Sequence, residues 1–281
     1  MQKKTKAIAA FVTVVIFFIT LDWFIGRNTE KTDDATVEAH VVAIVSKVPG
    51  YIKSLDINDN QKVLKNDVLL EIDPADYNLK LDIARAHLAS SEVKARNKKI
   101  NAERQQAIGK AAGTQKDIDN AVAEEEIALS EVDSAKSQLA LSEKDLSDTK
   151  IIAPIDGTVT MRTVEQGSYA NVGSRLFMLV GTEKWVVANF KEVQITNMRP
   201  GQEAIIELDA YPDLKIQGHV DSIQSGTGSK FSAFPAENAT GNFVKVVQRV
   251  PVKIVIDTAL PQDLIIGPGL SANVKVYTKG K

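Results

Sequence analysis

The stretch "KVPGYIKSLDINDNQKVLKNDVLLEID", Lys47–Asp73, has a second copy 107 residues further on, within "IAPIDGTVTMRTVEQGSYANVGSRLFMLV", Ile152–Val180. Laid over one another without a gap, Gly50 meets Gly157, Ile52 meets Val159 and Ile57 meets Val164. Asn60 meets Gly167, Asn66 meets Gly173 and Leu69 meets Leu176. Short runs in both copies alternate apolar and polar residues: "VVAIVSKV", "GYIKSLDI" and "DVLLEID", then "KIIAP", "GTVTMRTV" and "RLFMLV". That is the period of half-buried strands. Glycine or asparagine at the matched positions 60/167 and 66/173 predicts turns with positive φ. Neither copy buries enough apolar surface to stand alone, so the two are expected to face each other as one small β-sandwich.

Between the copies the composition changes. From Ala75 to Lys150 there is no proline, and Ala, Glu, Lys, Gln, Ser and Leu dominate. These are mostly good helix formers. Gly109 and Gly113 are the segment's only glycines and lie near its midpoint, which predicts a turn, with Thr114 as N-cap of a second helix. In the second arm Ile118, Val132, Leu139 and Leu146 share one heptad position, interrupted by Glu125. Ala121, Ala128, Ala135 and Ser142 form a row three residues later. In the first arm Leu81, Leu88, Ala95 and Ala102 are seven apart. The first arm is mainly basic and the second mainly acidic, which favours antiparallel pairing by about 0–1 kcal/mol per exposed pair. The expectation is an antiparallel coiled-coil hairpin inserted at the sandwich edge. The rival is a pair of ordinary helices lying on the body.

The N-terminus, "MQKKTKAIAAFVTVVIFFITLDWFIGR", places Lys3, Lys4 and Lys6 before an apolar run from Ala7 to Ile25, broken only by Asp22. At 1.5 Å per residue such a helix reaches about 28 Å, near the thickness of a hydrocarbon core. A single transmembrane anchor is expected, with Ala7, Phe11, Phe17, Trp23 and Ile25 in the membrane or at its interface. The positive-inside rule leaves the N-terminus cytoplasmic and exports the rest. The rival is a cleaved signal peptide, for which a small-x-small site is missing. From Thr182 onward, short strands such as "WVVANF", "EAIIELDA", "QGHVDSI", "VKVVQRVPVKIVID" and "SANVKVYT" predict a small antiparallel barrel. Pro200-Gly201, Pro212, Gly218 and Gly267-Pro268-Gly269 are read as its punctuation, and "DDATVEAHVVAIV" as a further strand joining it. The segment Ser225–Asn242 breaks the strand rhythm while carrying aromatic residues, so it is read as a functional loop. The fold class is thus mixed α and β. Its parts are residues 1–31 (cytoplasmic tip and anchor), 32–46 (strand joining the barrel), 47–73 and 151–181 (the two halves), 74–150 (hairpin) and 182–281 (barrel).

Little suggests catalysis. The 281 residues contain no cysteine, which excludes disulfides, thiolate metal sites and a cysteine nucleophile. Net charge is −2, with no basic footprint for nucleic acid. His40, His87 and His219 lack ligand spacing, so no metal is expected. "GTGSK", Gly226–Lys230, lacks the spacing and following helix of a phosphate loop. No cofactor is expected.

The duplicated "PGYI" and "APIDGTV" halves resemble the biotinyl/lipoyl carrier fold. The junction where a carrier presents its modified lysine is here replaced by the helical segment, and Lys62 and Lys65 lie inside the first half. A lipoyl-like domain split by a helical hairpin behind one anchor is similar to the periplasmic membrane fusion (adaptor) proteins of the HlyD type. "WVVANFKEVQITNMRPGQEAIIELDAYP", Trp185–Pro212, and "GTGSKFSAFPAENATGNFVKVVQRVPVKI", Gly226–Ile254, resemble the EmrA-like branch. That resemblance implies a homo-oligomeric, non-enzymatic adaptor in the periplasm of a Gram-negative bacterium. It would link an inner-membrane major-facilitator multidrug transporter to a TolC-like outer-membrane channel. It also implies that the hairpin tip meets the channel, where Arg104, Ile108, Thr114 and Asp119 fill the comparable places. The barrel loop, with Phe231, Phe234, Asn238, Asn242 and Phe243, is expected to meet the transporter or a neighbouring subunit. The alternatives are an adaptor of an ABC-type secretion system and a lipoyl or biotinyl carrier domain.

Overall fold

A computed structural model describes residues 29–109, 114–230, 247–261 and 264–278. The anchor residues Ala7, Phe11, Phe17, Trp23 and Ile25 lie outside these, as do Phe231, Phe234, Asn238, Asn242 and Phe243 of the barrel loop. Among the described residues no helix is long and apolar enough to cross a membrane. The chain divides into two compact units. One holds the described residues up to His40 and those from Gly181 onward; the other lies within Val41–Val180. Two strands contribute to both units: β1 (Thr29–Val45) and β8 (Arg175–Lys191).

The duplication is a structural two-fold in the second unit. Its strands are β2 (Gly50–Leu55), β3 (Lys62–Val63), β4 (Val68–Ile72), β5 (Lys150–Ile152), β6 (Gly157–Thr160) and β7 (Tyr169–Ala170). The halves exchange the same hydrogen bonds. Ile52 N–H donates to Ser168 O at 2.9 Å, and its counterpart Val159 N–H donates to Gln61 O at 2.9 Å. Gly167 N–H reaches Ile52 O at 2.8 Å, and Asn60 N–H reaches Val159 O at 3.0 Å. Strand pairing follows: Tyr51 lies opposite Tyr169, and Thr158 opposite Lys62. The four matched turn residues all have positive φ, 62° at Asn60, 74° at Asn66, 85° at Gly167 and 79° at Gly173. The matched pairs Ile52/Val159, Leu69/Leu176 and Ile72/Leu179 are all fully buried, and all of them except Ile52 belong to one core cluster. A half alone would expose that apolar face, which is why the unit needs both copies.

The chain leaves this core at Pro74 as two helices, α1 (Ala75–Gly109) and α2 (Gln115–Ser147). Thr114 caps α2, its hydroxyl accepting from Asp117 N–H at 3.4 Å. Of the expected rows, Leu81, Ala95 and Ala102 of α1 are buried, as are Ala121, Ala128, Val132, Ala135 and Ser142 of α2, while Leu88, Ile118, Leu139 and Leu146 are half-buried; Ala84 and Ser91 of α1, outside those rows, are buried as well. Small side chains at these positions let the two backbones approach closely.

The first unit is a closed barrel. Its further strands are β9 (Glu203–Leu208), β10 (Tyr211–Ile223), β11 (Arg249–Ile256) and β12 (Ser271–Tyr277). They are hydrogen-bonded in the order β1-β12-β9-β10-β11-β8, and β8 pairs back to β1. Thr32 helps that closure, its hydroxyl donating to Asn189 O at 2.9 Å. Alternate residues, including Val37, Val186, Phe190, Ile206 and Val274, fill the interior.

Three readings of this region are corrected. "RLFMLV" and "WVVANF" are not separate strands but parts of β8, because Gly181 between them adopts no positive φ and the chain stays extended. Gly218 does not end a strand. It lies inside β10, where a Cβ would sit 2.4 Å from Val255 O, so glycine permits a close backbone approach. Pro212 also lies within β10, at a shift of register between Tyr211 and Lys215 where the missing N–H is tolerated. A 3-10 helix, Glu192–Asn197, follows β8 and was not anticipated.

Candidate functional site

The hairpin is rooted by specific bonds rather than by packing alone. Tyr77, in the first turn of α1, is 6% exposed, and its hydroxyl donates to Pro49 O at 2.6 Å. Burial raises the phenol's pKa, and the nearby Asp145 carboxylate raises it further, so it stays a neutral donor. At the other root Asp148 ends α2. Burial alone would raise its pKa, but hydrogen bonds from Lys144 and Lys47 outweigh that and hold it below the usual carboxylate range. Lys47 Nζ lies 3.4 Å from Asp148 Oδ1, which ties the base of the hairpin to the residue preceding Val48 of the sandwich core.

Along the arms the opposite charges meet at defined places. Lys94 of α1 pairs with Glu131 of α2 at 2.6 Å, and Lys98 with Glu124 at 2.7 Å. Both pairs are partly exposed, so each contributes about 0–1 kcal/mol; they set register more than stability. Two helices of this length extend roughly 50 Å at 1.5 Å per residue.

Arg104, Ile108, Thr114 and Asp119 all fall beyond Ala102 and Ala121, the last buried seam residues toward the tip. They differ in what they do there. Thr114 is committed to capping and also donates to Asp117 Oδ2 at 2.6 Å. Asp119 accepts from Gln115 Nε2 at 2.9 Å. Arg104 makes no ion pair among the described residues, and Ile108 is 47% exposed. Arg104 and Ile108 are therefore the two with side chains unspent on the hairpin itself. Sequence reasoning overlooked an apolar row on the outer face of α1. Leu79, Ile83, Val93 and Ile100 are all exposed and, with Ala86, Ser90 and Asn97 between them, fall on a 3–4 spacing on the face opposite the seam. The signal was present as a second heptad register, hidden by those three smaller residues.

Nothing in the described residues points to catalysis. No group of three or more His, Cys, Asp or Glu is placed to hold a metal ion. His219 Nδ1 sits 2.9 Å from both Asp257 oxygens, an exposed pair that the sequence did not suggest. His40 lies edge-on to Trp185, ring centroids 4.8 Å apart.

Comparison with known proteins agrees with this architecture. Residues 40–182 match the family model described as RND MFP, barrel-sandwich hybrid domain, and residues 184–277 match the AAEA-like beta-barrel domain. The chain is 30% identical to the Multidrug export protein EmrA of Haemophilus influenzae, over 97% of this chain and 84% of that one. It is 33% identical to the Multidrug export protein EmrA of Escherichia coli, over 94% of this chain and 80% of that one. The membrane fusion protein Spr0693 of Streptococcus pneumoniae has the same fold. Its TM-score is 0.66 at 18% identity, over 90% of this chain and 99% of that chain. The chain thus belongs to the membrane fusion protein family, as an EmrA-like efflux adaptor and not an enzyme.

Proposed function

We propose that this adaptor sits in the periplasm, is held in the inner membrane by residues 7–25, and links a major-facilitator multidrug transporter to a TolC-like outer-membrane channel. The transporter moves the drug, and the adaptor completes the conduit. The observation that carries this reading is the hairpin. Its two helices, 35 and 33 residues long, are rooted in the sandwich by Tyr77 and Asp148 and end in a tip whose Arg104 and Ile108 are unspent. Long paired helices with an exposed apolar row on α1 suit packing against further copies of the chain. A homo-oligomer of hairpins would then present a ring of tips to the channel. The apolar run Ala7–Ile25 and the lysines before it support a single-pass anchor with a cytoplasmic N-terminus. The loop with Phe231, Phe234, Asn238, Asn242 and Phe243 is assigned to the transporter or to a neighbouring subunit.

The test is efflux in a strain lacking the chromosomal copy, complemented with the full chain. Reversal of the tip charge, Arg104→Glu with Asp119→Lys, should restore drug sensitivity while the protein level stays normal. Undiminished efflux would remove those residues from the channel contact.

A further inference from the structure

The outer wall of the barrel carries two cross-strand pairs of like charge. Lys31 of β1 stands opposite Lys275 of β12, and Lys191 of β8 stands opposite Arg249 of β11. Like charges directly opposite destabilise a sheet, so each pair calls for an anion. Arg249 has one in Asp34, at 2.8 Å. Lys31, Lys191 and Lys275 pair with no carboxylate among the described residues; Lys275 Nζ instead lies 4.9 Å from the centre of the Tyr277 ring. These cations line one open groove of about 680 Å³, with Lys215 as a fifth. Two carboxylates line it as well: Glu207 lies 4.0 Å from Lys215, and Asp33 has no ion-pair partner among the described residues. The groove therefore has a surplus of positive charge.

Exposed apolar groups flank it. Val193, in the 3-10 helix after Lys191, is 75% exposed, and Val247, two residues before Arg249, is 60% exposed. The two segments are tied together by Glu192 N–H donating to Gln248 O at 3.0 Å. Tyr277 lies opposite Thr29, the first residue of β1. Thr29 in turn follows Ile25, the end of the apolar N-terminal run, by four residues. At about 3.3 Å per residue, the six residues from Ile25 to Lys31 span at most roughly 20 Å.

We propose that this groove binds the phosphate headgroups of anionic phospholipids, seating the barrel on the membrane surface beside its own anchor. Lys31, Lys191 and Lys275 meet the phosphates, Val193 and Val247 enter the headgroup boundary, and Tyr277 takes the interfacial position that tyrosines favour. The proposal rests on the anchored reading above. Each lysine near an anionic surface favours the docked state by about fivefold, so three together contribute on the order of 100-fold.

The chain has no cysteine, so single labels are clean. The full chain carrying Val193→Cys, with an environment-sensitive fluorophore, is placed in lipid nanodiscs doped with headgroup-spin-labelled phospholipid. One set of discs is phosphatidylcholine alone; the other includes phosphatidylglycerol. Quenching should be strong in the phosphatidylglycerol discs and weak in phosphatidylcholine. The triple variant Lys31→Gln, Lys191→Gln, Lys275→Gln should shift the docked fraction in anionic discs down on the order of 100-fold. A label at Ile265, which is 85% exposed and precedes β12 at the opposite end of the strands, should stay unquenched throughout. Equal quenching in both lipids, or an unchanged triple variant, would overturn the proposal. Loss of quenching on adding inorganic phosphate, where chloride of equal ionic strength leaves it intact, would reassign the groove to free phosphate and also overturn it. Co-elution of chain with disc is scored separately: if the chain fails to co-elute with either disc, the anchored reading falls and this proposal with it.

Discussion

A methyl group on Gly157 would lie 2.4 Å from the Val180 carbonyl oxygen, and one on Gly50 would lie 2.5 Å from Cγ2 of Ile72. The two glycines occupy the same place in the two halves, yet their obstacles differ. Val180 O is backbone and cannot turn away. Ile72 is a fully buried, β-branched side chain with little rotamer freedom, and Gly50 itself has a φ of 158°, where a side chain is strained. Gly157→Ala and Gly50→Ala should therefore each cost about 1–3 kcal/mol of unfolding free energy. Urea titration of the full chain checks both, and stability within about 0.5 kcal/mol of the parent for either variant would contradict it. Matched glycines and asparagines were legible in the sequence because a positive φ leaves few residues to choose from. The Tyr77 hydroxyl on Pro49 O was not legible. A single side-chain bond across 28 positions has no period and no spacing rule. The lysine groove was hidden for a related reason, since its cations come from five strands and converge only through the barrel's register.

At the scale of elements, heptad rows and the loss of proline marked out the hairpin, and the alanine row of the second helix is buried as its spacing implies, whereas Ala84 and Ser91 of the first helix are buried outside any row picked from the sequence. Alternation marked out most strands. What it could not supply were β3 and β7, two residues each, too short to show a period although they join the two halves. It also divided β8, because a glycine looks like a boundary until its φ is known. The outer apolar row on α1 was overlooked because one helix face had already been assigned. The seam makes a specific demand on size. Ala128 is 1% exposed at the helix–helix contact, while Ala123 on the same helix faces solvent. Ala128→Leu should force the helices apart and cost about 1–3 kcal/mol, whereas Ala123→Leu should stay within about 0.5 kcal/mol of the parent. Circular dichroism melts of the two variants give the comparison. Equal stability would mean that the helices are not closely packed there.

On the scale of the whole molecule, three parts with different chemistry are strung on one chain. A duplicated sandwich supplies a rigid root, paired helices supply reach, and a barrel presents a charged wall. Among the described residues none of them shows a constellation that points to a reaction, and membership of an efflux-adaptor family gives the arrangement its sense. The central claim is that the chain joins a major-facilitator transporter to an outer-membrane channel. The most direct test is affinity capture of the tagged full-length chain from gently solubilised membranes, with mass spectrometry of the proteins it carries. Recovery of a polytopic major-facilitator transporter together with a TolC-like channel is the predicted result. Recovery of an ABC transporter in its place would contradict the assigned pump, and capture of a soluble enzyme, with a lipoyl or biotinyl mass added to the chain, would contradict the adaptor account altogether.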